Sequence, residues 1–307
     1  MKKKRSYRFL YLPLLLLAAT GLAALFMMLS HGFVPSDEEL GRMPHRLTVL
    51  TWNTARMGGF AKPKENPVLQ YLLRQDADVI CLQEVDVYKD KRFLTLAEVK
   101  KTLGTKYPYS YIDFSVYNKR HQFGTMVWSR YPLIHKQSIR FESVGNLSNR
   151  CDIVVGRDTI RLINNHLESY NFTPEDLAEM ENRRDYEGLR SSLKRLEQKW
   201  ERALPLRNEQ ARRVRQEIEA SPYPVIVAGD FNSIPLSYAY WHIARGLNDA
   251  FEDTSWFRWG ATCEKRGVGI RIDYLLSSPS VVPFRCEVVP DAEGSDHHPL
   301  VASFGWE

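Results

Sequence analysis

Eight polar residues in this chain combine a reactive type with a telling position: Asn53, Glu84, His166, Asp230, Asn232, Asp273, Asp296 and His297. The plainest case is Val225-Ile226-Val227-Ala228-Gly229-Asp230-Phe231-Asn232-Ser233, where an apolar, mostly β-branched run stops at Gly-Asp-x-Asn. Such a run reads as a buried strand that delivers polar groups at its end. Gly229 permits a tight exit, and Asp230 and Asn232, two apart, project the same way if the backbone stays extended. A carboxylate at the rim of a core costs several kcal/mol unless a cation, water or donor meets it. The same four residue types also make ordinary turns, so this stretch alone leaves both readings open. Taken together, carboxylates with few histidines and no clustered thiols suit a hard ion such as Mg²⁺ better than zinc. Phosphate esters are the substrates that such a set serves.

The elements that must position these groups are legible as apolar runs. Leu47 to Asn53 and Ala77 to Glu84 read as strands closed by a carboxamide and a carboxylate, and Thr159 to Asn165 runs into His166. Asp152 to Val155 and Thr159 to Asn165 flank Gly156-Arg157-Asp158, a hairpin signal. Arg271 to Leu276 and Val301 to Phe304 complete the strands that carry or follow Asp273, Asp296 and His297, and Tyr107 to Tyr117 and Gly124 to Arg130 are strands between them. Helical spacing appears after Pro67, from Leu94 to Leu103, and from Ser237 to Gly246. The stretch from Pro174 to Ala220 is rich in charge and helix formers, and Pro205 predicts a break into two helices. Its basic excess reads as a solvated face with internal ion pairs, with contact to phosphate as the competing reading. Mixed strands and helices throughout indicate an α/β layered fold. His298 reads as a surface residue, Cys81 as a small core residue, and Cys263 with Cys286 as a disulfide that export would permit.

Charge adds a boundary and removes a class. The formal charge of +5 is carried by Lys2, Lys3, Lys4, Arg5 and Arg8, and the remaining 37 bases balance 37 acids. A phosphate-coating basic surface therefore has no support in the bulk charge. Those five positives precede an apolar run from Phe9 to Leu29, long enough to cross a bilayer as a helix. Residues 1–30 thus read as a cytoplasmic basic tip with an uncleaved anchor, residues 31–46 as a linker, and residues 47–307 as one domain, with a helical insertion at about 170–220. A cleaved signal peptide is the alternative, and either way the body lies on the non-cytoplasmic side, periplasmic in a Gram-negative source.

Six segments, in this order, resemble the endonuclease/exonuclease/phosphatase superfamily of exonuclease III-type repair enzymes, deoxyribonuclease I, neutral sphingomyelinases, inositol-polyphosphate 5-phosphatases and deadenylases. They are Thr51-Trp52-Asn53, Leu82-Gln83-Glu84-Val85, Asn164-Asn165-His166-Leu167, Gly229-Asp230-Phe231-Asn232-Ser233-x-Pro235, Arg271-Ile272-Asp273-Tyr274 and Ser295-Asp296-His297-x-Pro299. The resemblance implies a four-layered α/β sandwich of two mostly antiparallel sheets flanked by helices, here preceded by one N-terminal transmembrane helix. It implies Glu84 as the principal Mg²⁺ ligand, with Mn²⁺ as a substitute, and Asn53 and Asp296 beside it or holding its waters. His297 oriented by Asp273 resembles the general base or phosphate-binding dyad, Asp230 and Asn232 would aim water and a phosphoryl oxygen, with Asp230 the alternative to His297 as the base that takes the water's proton, and His166 resembles the histidine that contacts phosphate.

The expected activity is Mg²⁺-dependent phosphodiester hydrolysis, on nucleic acid or a phospholipid head group. Sphingomyelinase or phospholipase C-like action and phosphomonoester hydrolysis are the enzyme alternatives. A catalytically silent, membrane-tethered binding module is the alternative from another class. The segment after Gly-Asp-x-Asn departs from both the inositol-phosphatase and the repair-nuclease patterns.

Overall fold

A computed structural model of the chain describes residues 37–59, 62–170, 186–255, 260–265 and 267–307. The basic tip and apolar run at 1–30 lie outside these residues, as does part of the insertion, 171–185. Among the described residues no helix is long and apolar enough to cross a membrane.

Two six-stranded sheets pack face to face. The first contains β1 (His45–Asn53), β2 (Val79–Tyr88), β3 (Tyr109–Tyr117), β4 (His121–Ser129), β13 (Val282–Val288) and β14 (Leu300–Trp306), in the order β13-β14-β1-β2-β4-β3. The second contains β5 (Leu133–Arg140), β6 (Leu147–Val155), β7 (Asp158–His166), β8 (Val225–Asp230), β9 (Asn248–Asp249) and β12 (Asp273–Ser277), in the order β5-β6-β7-β8-β12-β9. A small hairpin, β10 (Cys263–Lys265) with β11 (Val268–Ile270), stands apart. Each sheet is antiparallel except for one central parallel pair, β1 with β2 and β7 with β8.

Those two pairs decide where the site lies. The parallel register sets Asn53 beside Gln83 and His166 beside Asp230, so Asn53 and Glu84 emerge together, as do His166 and Asp230. β1 and β2 pack against β8, and β2 also against β7, so the two sets face each other across the sandwich.

Three apolar layers hold this frame. Val49, Cys81, Leu162, Ile226 and Leu300 fill the space between the sheets. The alternate set Leu50, Trp52, Ile80 and Leu82 packs outward on the helices Pro67–Arg74 and Leu96–Leu103. Ile163, Val225, Val227 and Leu276 pack against the helices Tyr186–Glu219 and Tyr238–Ala244. Strands buried on both faces need apolar residues at successive positions, which is why β8 reads Val-Ile-Val-Ala. The four layers implied by the sequence are present.

Several expectations need correction. The helix Tyr186–Glu219 runs unbroken through Pro205. A proline removes one backbone hydrogen bond, and the buried Arg207, Gln210, Ala211 and Val214 beyond it tie the next turns to the domain. β2 does not stop at Glu84 but continues to Tyr88, with its pairing to β4 shifting register between Leu82 and Val85. Glu84 sits in that bulge at φ 49°. The supposed linker contributes the helix Asp37–Arg42 and the start of β1, where His45 stacks on Trp306 at 5.7 Å. All four cysteines are buried thiols: Cys286 lies in the inter-sheet core, while Cys263 faces His297. His298 is largely covered, its side chain 16% exposed beside Glu264 of the small hairpin.

Candidate active site

Between the ends of the two parallel pairs lies a cleft of about 1110 Å³. Glu84, His166, Asp230, Asn232, Asp296 and His297 line it, and Asn53 and Asp273 stand immediately behind. All eight sequence-predicted residues therefore gather in one place.

Asn53 is the tie between the sheets. Its amide donates to Glu84 Oε1 at 3.1 Å and to Asp230 Oδ2 at 2.9 Å, while its own oxygen accepts from Ala55 N. In this arrangement Asn53 aligns two carboxylates from opposite sheets. Behind it the inter-sheet space turns polar, where Gln83 donates to Thr51 and to Asn164.

Asp230 is oriented from three sides. Besides Asn53, it accepts from Asn232 N at 2.7 Å and Asn232 Nδ2 at 3.2 Å. Asn232 has φ 49°, so the backbone does not stay extended; it folds back so that Asn232 clasps Asp230 and also donates to Leu167 O. Gly229 makes the approach possible, since a Cβ there would meet Asn165 O of β7 at 2.1 Å.

His297 stands on a pinned loop. Ser295 donates to Asn53 O, Trp52 Nε1 donates to His297 O, and Glu264 N donates to Asp296 O. The ring places Nδ1 2.9 Å from Asp273 Oδ2 and Nε2 3.9 Å from Asp230 Oδ2. Burial alone would strip the proton from His297, but Asp273 and then Asp230 reverse this and raise its pKa well above the ordinary value. Burial, reinforced by the charge of Asp230, pushes Asp273 up to about 6 against the pull of His297.

His166, at the end of β7, has its Nε2 3.4 Å from Glu84 Oε1. Burial opposes its charge, and Glu84 with Asp230 outweighs that and raises its pKa. Burial likewise works against the charge on Glu84, yet His166 and Asn53 bring its pKa down to about 2.

The donor set fits a hard divalent cation. Glu84 of one sheet approaches Asp230 and Asp273 of the other through Asn53, and the ligand atoms of Asp230, Asp273 and His297 lie within 4.8 Å of one another, as do those of Cys263, Asp296 and His297. His166 Nδ1 and Asp273 Oδ1 are buried with no hydrogen-bond partner among the described residues, and His166 Nε2 has only the 3.4 Å contact with Glu84. Buried polar atoms left in that state cost about 1–3 kcal/mol each. A cation and an anionic substrate would relieve both the charge excess and the vacant bonds.

The endonuclease/exonuclease/phosphatase family model matches residues 50–297. The chain belongs to this family. Similar solved structures in the family include an endonuclease/exonuclease/phosphatase from Beutenbergia cavernae, at TM-score 0.60 and 16% identity, covering 85% of this chain and 72% of that one. One from Bacteroides vulgatus gives 0.59 and 16%, over 86% and 100%. The human Nocturnin catalytic domain with bound sulfate gives 0.55 and 18%, over 85% and 95%. Truncated TDP2 from Caenorhabditis elegans gives 0.56 and 20%, over 87% and 99%. At these identities the structural likeness shows the fold. No curated protein sequence matches the chain. Family membership supports phosphoric ester hydrolysis in general.

Residues that the sequence does not single out for the site also face the cleft: Arg56, His121, Phe123, Tyr170, Trp200 and Cys263, the last expected in a disulfide. Arg56, three residues past Asn53, had a positional signal, being a cation just beyond a polar strand end. The others come from strand starts, loops and the long helix, and only the fold brings them in.

Proposed function

We propose that the protein is a Mg²⁺-dependent phosphodiesterase, with Mn²⁺ as a substitute, that cleaves its substrate by attack of water. The observation that carries this reading is the alignment of Glu84 and Asp230, from opposite sheets, by the single amide of Asn53. Two carboxylates held this way, with two imidazoles beside them, suit phosphoryl transfer, where neutralised oxygens and an in-line water do most of the work.

Glu84 and Asp296, which both line the cleft, would hold the metal, with Asn53 fixing the Glu84 carboxylate. The bound ion would supply charge neutralisation at the phosphoryl oxygens. Asp230, its carboxylate fixed by Asn53 and Asn232, takes the proton of the attacking water. His297 donates from Nε2 to a non-bridging oxygen, and Asp273 holds the ring through Nδ1. His166 donates to a second phosphoryl oxygen. A cleft of about 1110 Å³ exceeds the needs of a bare phosphomonoester and suits a diester with groups on both sides. The domain acts on the non-cytoplasmic side of a membrane, tethered through residues 1–30.

Hydrolysis of bis(4-nitrophenyl) phosphate with Mg²⁺, with chelator and by Glu84→Ala tests this reading. Loss on the order of 100-fold or more is expected for the variant. Unaltered Mg²⁺-dependent turnover by Glu84→Ala would sink the proposed site. When the full-length sequence is expressed, recovery of a soluble product with its N-terminus near His31 would overturn the tether.

A further inference from the structure

At the β3–β4 end of the cleft the backbone does something costly. Ala55, Arg56, Met57 and Gly58 take φ values of 41°, 65°, 59° and 65°. Left-handed backbone costs about 1–2 kcal/mol for each residue bearing a Cβ, and three such residues in succession are rare outside functional segments. The turn buries Met57 and sends Arg56 over the cleft, its side chain 66% exposed.

Arg56 does not stand alone. Its Nη1 lies 3.8 Å from Asp86 Oδ2, and His121 Nδ1 lies 2.6 Å from Asp86 Oδ1. The Asp86 side chain is 0% exposed and also accepts from the Tyr88 hydroxyl at 3.3 Å, while the Tyr88 ring stacks on His121 at 5.8 Å. One buried carboxylate therefore hydrogen-bonds His121 and attracts Arg56 as an ion pair, and both side chains line the cleft. With Nδ1 engaged, His121 has Nε2 left for a ligand, and the guanidinium keeps most of its five donors. Phe123 joins this group to the proposed centre: Arg56 sits 6.0 Å from its ring and His166 sits 6.4 Å from it, edge to face.

We propose that Arg56 and His121, held by Asp86, form a subsite for a second, uncleaved phosphate, and that the substrate is a polynucleotide strand. This rests on the phosphodiesterase reading above. Arg56 and His166, the partner of Glu84, stand 6.0 and 6.4 Å from the centroid of the one Phe123 ring, so the two groups are separated by little more than that ring. Such a separation is on the scale of the repeat between successive phosphates of a nucleotide chain. A phosphate held at Glu84 would thus place its neighbour at Arg56 and His121. Phospholipid head groups with a single phosphate have nothing to offer there.

The test uses the full chain with Mg²⁺ and two substrates that release 4-nitrophenolate from the same bond: thymidine 5′-(4-nitrophenyl phosphate), and the same compound carrying a 3′-phosphate. For the wild type, kcat/KM is expected to favour the second on the order of tenfold, the value of one or two charge-assisted hydrogen bonds. Arg56→Gly, which suits the left-handed backbone, brings that ratio toward unity, Arg56→Lys restores part of it, and His121→Gln lowers it. Arg92→Ala, an exposed pair with Asp90, keeps the wild-type ratio. A wild-type ratio near unity, a ratio unmoved by Arg56→Gly, or sphingomyelin turned over faster than oligothymidylate would each overturn the subsite while leaving the phosphodiesterase reading intact. Failure to cleave either compound would instead remove the phosphodiesterase reading. Calorimetric binding of thymidine 3′,5′-bisphosphate against thymidine 5′-monophosphate then decides the subsite: tighter binding lost in Arg56→Gly supports it, and equal binding ends it.

Discussion

Gly229 gives the sharpest test of how the two sheets set the site. It pairs with Asn165 across the parallel β7–β8 junction, one position from the pairing of His166 with Asp230. At φ 122°, an added Cβ would stand 2.1 Å from Asn165 O and 2.7 Å from Asn165 N. Alanine there must abandon its backbone conformation, at a cost of about 2 kcal/mol, and open the strand pair by about 1 Å, which loosens one or two ladder hydrogen bonds worth about 1 kcal/mol each. Gly229→Ala should therefore lose about 3–4 kcal/mol and melt roughly 6–15 °C lower. Gly156→Ala isolates the backbone contribution, because Gly156 has φ 62° and nothing lies within 4 Å of its Cβ position; it should lose about 1 kcal/mol. At a temperature where Gly229→Ala is folded, diester hydrolysis should still fall on the order of 100-fold, since a displacement near 1 Å separates His166 from Asp230. Denaturant melts with parallel kinetics measure both effects. If Gly229→Ala matches Gly156→Ala in stability and the wild type in rate, the close approach of β7 and β8 does not set the site.

Other substitutions probe the remaining links. Asp273→Asn removes the larger of the two charges that keep His297 protonated against burial, so the alkaline limb of the kcat/KM profile should move to lower pH by about one unit, measured at saturating Mg²⁺. Asp152, buried on β6, pays a desolvation penalty that hydrogen bonds from Arg161 and His135 overcome, which holds its pKa below the ordinary value. A folded pKa below the unfolded one stabilises above the ordinary carboxylate range and is lost as pH falls through the folded value, so Asp152→Asn should cost about 3 kcal/mol at pH 7 and progressively less below about pH 4 in chemical melts. Pro205→Ala restores a backbone donor to an exposed position inside a continuous helix and should stabilise the domain by about 1–3 kcal/mol with unchanged activity, whereas a helix broken at Pro205 would show no gain. Arg207→Met leaves Glu168 O and Ser233 Oγ without their donor, so melts should show a loss of about 2 kcal/mol.

The sequence reading reached furthest where polarity interrupts a doubly buried strand. Asn53 and Asp230 each end an apolar run and His166 closes a strand through Asn164 and Asn165, and the structure places each at the open edge of a central parallel pair. Glu84 shows the limit of that rule. The carboxylate ends the apolar stretch of β2 but not the strand, because Val85 and Val87 continue outward into the second core while Asp86 turns to Arg56 and His121. Hydrophobic pattern alone cannot separate a strand end from a bulge, since both insert one polar residue into an apolar period. The helix continues across Pro205 for a related reason: the local effect of one missing hydrogen bond is outweighed by side chains buried a turn or more away.

The bulge also explains why the pattern mattered. In a regular strand, Glu84 and Asp86 would point to one face, and Gln83 and Val85 to the other. With Glu84 at φ 49° and the register to β4 shifted, Gln83 faces Thr51 and Asn164 between the sheets while Glu84 still meets Asn53 and His166. Two neighbouring polar residues thus serve one rim, which a regular strand forbids. The same device occurs at Asn232, also at φ 49°, where the chain folds back onto Asp230. Glu84 and Asn232 each hold a left-handed, non-glycine conformation beside a parallel pair, at about 1 kcal/mol or more apiece. If those conformations serve only the site, then Glu84→Gly and Asn232→Gly should fold at least as stably as the wild type while losing hydrolysis.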